Sequence, residues 1–267
     1  MLGLVIKEGF ILDLILDCES ISSTEGSLTN LFSCSKNDLI SMLAKIDIEG
    51  IYQDIESSPD IPPDEYVFQR VIQNFGANIT PKLICWFHLT RTTQDATFAR
   101  GILPLGEALN PIWETLLNIF AGSKHQENLI DLKESGVVNY HYNLKAPDSF
   151  HWGPFAMLVK ESAFKAKEMG NHDYLWLPEI IEDICNAYHD KYGIFIHDDV
   201  VKTLNPCIVK FKSHKRMDDG CVKAALYYLY ANVKRESLCI DANTCFDGQG
   251  KIIPYEDILK IEFIDMP

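Results

Sequence analysis

The stretch Lys82–Leu105, KLICWFHLTRTTQDATFARGILPL, carries the side chains best suited to chemistry. An apolar run, Leu83–Phe87, ends on His88, and Thr90 and Arg91 follow directly after. An imidazole can move a proton near neutral pH, a hydroxyl can orient a ligand hydroxyl, and a guanidinium can grip a phosphate through paired hydrogen bonds. The apolar run predicts a buried strand with His88 at its exit. The polar turn Thr92–Asp95 beside it would let a reacting group be rigid and still reach solvent. A brief helical piece up to Arg100 and a Gly101-Ile-Leu-Pro-Leu turn should follow. The competing reading is a core strand with an incidental histidine.

Other chemical signatures are sparse. The sequence has no Walker loop, no GxGxxG after a strand, no HExxH and no GxSxG. His88, His125, His141, His151, His172, His189, His197 and His214 are scattered, with no i,i+4 pair on a convincing helix face. Asn171-His172-Asp173 and His197-Asp198-Asp199 could touch an ion, but such clusters usually lie in solvated loops, so no metal is expected. Lys210–Arg216, KFKSHKR, is the one basic cluster and reads as a solvated strand end or a phosphate contact. Tyr227–Tyr230 reads as an amphipathic helix with rings in the core.

The elements that must position these groups alternate between helical and extended patterns. Residues 2–16 could be a strand pair or a strand running into a helix, and Ser20–Asn30 reads as a Ser/Thr/Gly-rich loop. Ser35 with Asp38 marks a helix start, and Pro62-Pro63 opens a helix that Gly76 closes. Ala108–Ala121 and Gln126–Glu134 have helical patterns, and Gly136–Tyr142 reads as a strand. His151-Trp152-Gly153-Pro154 reads as a rigid turn feeding a helix, Phe155–Met169. Its backbone N–H groups could also meet an anion. Pro178–Tyr192 and Asp218–Val233 follow as helices, with strands at Cys207–Phe211, Ser237–Asp241 and Ile258–Ile264. An α+β fold is expected, a mixed or antiparallel sheet core with surrounding helices. A largely helical N-terminal lobe, residues 1–80, would precede a catalytic α+β domain, residues 81–267.

The totals set limits on partners. The 267 residues are 47% hydrophobic, enough for a substantial core, and the formal charge is −14. That acidity argues against a broad electrostatic grip on nucleic acid. The eight cysteines form no C-x-x-C pair and read as buried free thiols of a cytoplasmic protein. The N-terminal stretch makes a poor signal peptide, and no membrane span is expected.

FHLTR, then a short helix, then GILPL, resembles the opening motif of ADP-ribosyltransferase folds of the toxin and defence type. There a strand-borne His-x-Thr precedes a short helix and a Gly-Ile/Leu-x-Pro turn. The resemblance implies that His88 contacts the nicotinamide-side ribose of NAD, that Thr90 supports it, and that Arg91 meets the pyrophosphate or substrate. In the tail, KRESLCI followed by IIPYEDILKIEFI is similar to the closing strands of toxin-type members, which follow their catalytic glutamate. Glu236, at the start of a strand, would then be the catalytic carboxylate acting with His88, with Glu256 and Glu262 as substitutes. The family's middle motif has no clean match, and Tyr140, Tyr142, His151, Trp152 and Phe155 are the residues that could line its pocket.

The resemblance implies an NAD-dependent ADP-ribosyltransferase, with NAD as substrate and no metal. Its expected partners are a macromolecular acceptor, protein or nucleic acid, and a cognate inhibitor protein, as for a bacterial toxin or defence effector. Two other readings stay open. One is a non-catalytic interaction or regulatory protein, and the other a metal-independent RNA-processing enzyme using His88 with Arg91 or Lys215.

Overall fold

The computed structural model describes residues 14–53, 60–76, 80–214 and 219–265. In chain order the elements are β1 (Ile15–Leu16), α1 (Ile21–Leu31), α2 (Lys36–Ala44), α3 (Ile48–Gln53), α4 (Pro63–Phe75), β2 (Leu83–Thr92), α5 (Leu105–Ile119) and α6 (Lys124–Ser135). Then come α7 (Tyr140–Lys145), β3 (Phe155–Met157), α8 (Glu179–Tyr192), α9 (His197–Thr203), β4 (Asn205–His214), α10 (Gly220–Lys234), β5 (Cys245–Asp247) and β6 (Ile258–Phe263). The protein is α+β, as its patterning predicts. The possible pairing within residues 2–13 lies outside the described residues.

The sheet is six-stranded and mostly antiparallel, in the order β5-β3-β2-β4-β6, with β1 parallel to β2. Every residue of β2, Leu83 to Thr92, pairs with β4. The other edge of β2 is shared by β1 at Leu83 and Ile84 and by β3 at Phe87 alone. Strand alternation sends Ile84 and Trp86 to one face, where they join Val209, Phe211 and α10 in the large core. Phe87 and Leu89 point the other way, to a small cluster with Met157, Leu175 and Ile208.

Several expected boundaries hold. Ser35 caps α2 by accepting the Asp38 N–H, Pro63 opens α4, and Gly76 follows it at φ +93°. Tyr228 and Tyr230 are buried on α10, as core rings should be. Other segments differ. Ser20–Asn30 is the helix α1, because Ser20 and Ser23 form a reciprocal capping box and Thr24 returns its hydroxyl to the Ser20 carbonyl. Gly136–Tyr142 is no strand: Asn139 caps α7 by accepting the Tyr142 N–H. Phe155–Met169 is not a helix but β3 and a 3-10 turn, since its apolar start pairs with both β2 and β5. Ser237–Asp241 is not a strand, and Asp95–Arg100 forms turns rather than a helix.

Packing does not break at residue 80. Helices α1, α2 and α4 share one core with α10, β2 and β4. A second core gathers α5, α6, α8 and α9, which all lie in the long connection between β2 and β4. All eight cysteines are free thiols, five of them buried. Among the described residues no helix is long and apolar enough to cross a membrane.

Candidate functional site

His88 sits in the middle of β2 rather than at its exit, because the strand continues to Thr92. Its surroundings still open to solvent. Strand β3 pairs with β2 at one position only, and beyond that pair helix α5 stands opposite β2. Two adjoining clefts result, of about 450 and 490 Å³. His88, Thr90, Leu103, Ala108 and Ile112 belong to both and form the wall between them.

The His88 ring is half-buried, and its Nδ1 lies 2.8 Å from the Phe155 carbonyl oxygen. A carbonyl only accepts, so Nδ1 carries the proton in the neutral ring and Nε2 carries the lone pair. Desolvation moves the His88 pKa below the ordinary imidazole value, against the opposing pull of that carbonyl. Near neutral pH the ring is therefore uncharged, with Nε2 ready to accept a hydrogen bond or a proton.

The first cleft is the more aromatic. Trp152 and Phe155 line it, with Phe87, Tyr174 and His151 nearby. Trp152 is held through its Nε1, which donates to the Ala146 carbonyl at 3.2 Å. Its ring lies so close to α5 that a Cβ at Gly106 would come within 2.5 Å of it. The GILPL turn explains itself here. Ile102 pairs with Ile253, Leu105 N–H donates to the Trp152 carbonyl, and Pro104 starts α5. Gly101 is required twice, by φ +82° and by the Ile253 carbonyl only 2.1 Å from where a Cβ would stand.

The polar end of this cleft was not visible in the sequence. Glu179, in the first turn of α8, receives the Tyr174 hydroxyl at 3.0 Å and the Lys145 ammonium at 2.9 Å. Lys145 also reaches the buried Asp183 at 2.9 Å. Burial alone would raise the Glu179 pKa, but Lys145 and Tyr174 outweigh it and hold the carboxyl below its usual range. The residues Lys145, Tyr174 and Glu179 come from three separate segments with no common spacing. The only sequence signal was an acid following Pro178, which reads equally as an ordinary helix start.

Of the residues expected to act together, His88, Thr90, Trp152 and Phe155 meet in this cleft. Arg91 points to the opposite face of β2. Its guanidinium donates to the Leu175 carbonyl at 2.7 Å and to the Val201 and Leu204 carbonyls at the end of α9. It is committed to closing that helix. Tyr140 is 76% exposed and lines neither cleft.

Glu236 follows α10 in a loop, exposed, beside the Tyr230 phenol where α10 meets α2. It lines neither cleft, so the expected His88–Glu236 pair is not assembled. Glu256 is exposed in a short turn, and Glu262 is paired with Lys160 and Lys260. In the basic run Lys210 is tied to Asp17 and Glu19, while Lys215 and Arg216 lie outside the described residues. No group of three or more metal-ligating side chains occurs among the described residues. No protein family, curated protein or solved structure matches this chain, so the cleft has to be read from its own chemistry.

Proposed function

We propose that the chain transfers ADP-ribose from NAD to a macromolecular acceptor at the His88 wall, with Glu179 in place of Glu236 as the carboxylate. One observation carries the reading: His88 and Thr90, which the family resemblance assigns to NAD, line a single cleft with Trp152 and Phe155, two of the candidates for its wall, and with Glu179. The neighbouring cleft across the His88–Thr90 wall is lined by Arg100, an exposed cation held only loosely by Glu107 at 3.9 Å and suited to a phosphate. A nicotinamide riboside half on the Trp152 side and phosphates on the Arg100 side fit this layout. The α+β sheet would then be ADP-ribosyltransferase-like, and a toxin or defence role with a protein acceptor suits the acidic chain.

The chemistry balances with these groups alone. The C1′–N glycosidic bond breaks and its electron pair leaves on nicotinamide. The Glu179 carboxylate stabilises the positive charge growing on the ribose. The acceptor nucleophile bonds to C1′, and its proton passes to Nε2 of neutral His88 and then to solvent.

A second reading, ligand binding without catalysis, is favoured by one fact: both Glu179 oxygens already have partners, Tyr174 and Lys145. Release of nicotinamide from labelled NAD separates the two. Transfer predicts release that falls by about 100-fold in folded His88→Ala and Glu179→Gln proteins and is unchanged in Glu236→Gln. NAD binding without release would support the second reading, and absence of both would overturn the proposal.

A further inference from the structure

The two clefts differ in charge. Around the Trp152 cleft the ionised groups are Lys145 and Glu179, with Asp183 directly behind Lys145. One ammonium held between two carboxylates leaves one net negative charge at the polar end. The neighbouring cleft is lined by Arg100, which is paired with Glu107 at 3.9 Å, and by Arg91, whose guanidinium is spent on the carbonyls of Leu175, Val201 and Leu204, so it carries no excess of negative charge. The two aromatic rings of Trp152 and Phe155 add to the asymmetry, because the face of an aromatic ring attracts a cation. The lone pair on His88 Nε2 adds in the same direction. Nothing in the Trp152 cleft offers an uncompensated positive charge to an anion.

We propose that the Trp152 cleft selects a positively charged, N-substituted heteroaromatic ring over the same ring when neutral. The inference names the class of ring for the site described above and rests on that reading for the ring's position, but it concerns binding and does not require the ring to be cleaved. The source of selectivity is the Glu179–Lys145–Asp183 group, since the other lining residues are apolar, aromatic or uncharged apart from the histidines.

Calorimetric titration of the full chain with 1-methylnicotinamide and with nicotinamide tests this. The two probes share the ring and amide and differ in charge, and about pH 8 lies above the ordinary imidazole range. The cation should bind about tenfold tighter. Glu179→Gln, which removes the excess negative charge, should bring the ratio close to one. N-methylpyridinium against pyridine gives the same comparison in the unaltered protein, should the variant fail to fold. Equal affinities, preference for the neutral ring, binding of neither ring, or a ratio unchanged in a folded Glu179→Gln protein would each overturn the inference. Nicotinamide release without cation preference would leave ADP-ribosyl transfer standing and remove this proposal, whereas cation preference without release would do the reverse.

Discussion

At the scale of single residues, Arg91 shows how neighbours in sequence can serve different ends. His88 and Arg91 are three apart on a strand, so their side chains leave on opposite faces. His88 meets the clefts, while Arg91 meets carbonyls 84 and 113 residues away in the chain. Neither distance leaves a trace in local sequence, which is why Arg91 reads there as a phosphate ligand. A buried guanidinium held by several carbonyls contributes through bonds that would otherwise be left unmade, about 1–3 kcal/mol for each orphaned group. Arg91→Met should therefore lower unfolding free energy by roughly 3 kcal/mol or more, measured by chemical denaturation. Arg91→Lys, which keeps the charge but loses the planar fork, should fall between. A loss below about 1 kcal/mol for the methionine variant would mean that the end of α9 finds other donors. Glu179 is the converse case. Its carboxylate was readable only as a helix-start acid, and its companions Lys145 and Tyr174 were invisible until the chain folded.

At the scale of elements, helix α5 and the turn that leads into strand β3 shape the cleft through Gly106 and Trp152. The helix itself was legible, because its apolar residues recur at helical spacing and bury Trp113 and Leu116. Strand β3 was not, since a short apolar run bounded by a turn fits a strand and a helix equally well. Long-range pairing decided it. Gly106→Ala probes the contact between the two. Alanine would improve helix propensity by about 1 kcal/mol, but its Cβ would stand 2.5 Å from the Trp152 ring. The ring is the end of a side chain and can swing, provided it gives up the Ala146 carbonyl. Stability should thus change by no more than about 1 kcal/mol, while affinity for an aromatic ring falls several-fold and Trp fluorescence shifts. Unchanged ring affinity in a folded Gly106→Ala protein would show that Trp152 is not a wall of the binding site.

At the scale of the whole molecule, composition and patterning were sufficient for the α+β class, but not for how the chain divides. The long connection between β2 and β4 builds its own core, and the N-terminal helices join the sheet instead of standing apart. Contacts of that range have no local signature. The same holds for a charge network that ties remote segments together across one face of the sheet. Asp17 and Glu19 near the start pair with Lys210 of β4, and Glu19 and Glu262 pair with Lys260 and Lys160. Hydrogen bonding to Lys210, opposed by burial and aided by Lys260, lowers the Glu19 pKa to about 2. A depressed carboxyl contributes stability in full above its unfolded value, near 4.5, and loses it as pH falls through the folded value. Lys210 is raised: burial alone would lower it, but Asp17 and Glu19 prevail, so its contribution is lost only as pH rises past the ordinary lysine range. The network therefore stabilises the fold across the neutral region and fails first in acid. Unfolding free energy should drop between pH 4.5 and about 2, and Glu19 should account for part of that drop, reduced by solvent screening of its partly exposed carboxylate. Glu19→Gln should be less stable at pH 7 yet show a shallower acid limb, read from denaturant midpoints across that range. Parallel limbs in the two proteins would mean that Glu19 ionises no more readily in the folded chain than in the unfolded one, and that Asp17 alone supplies the ionic tie to Lys210.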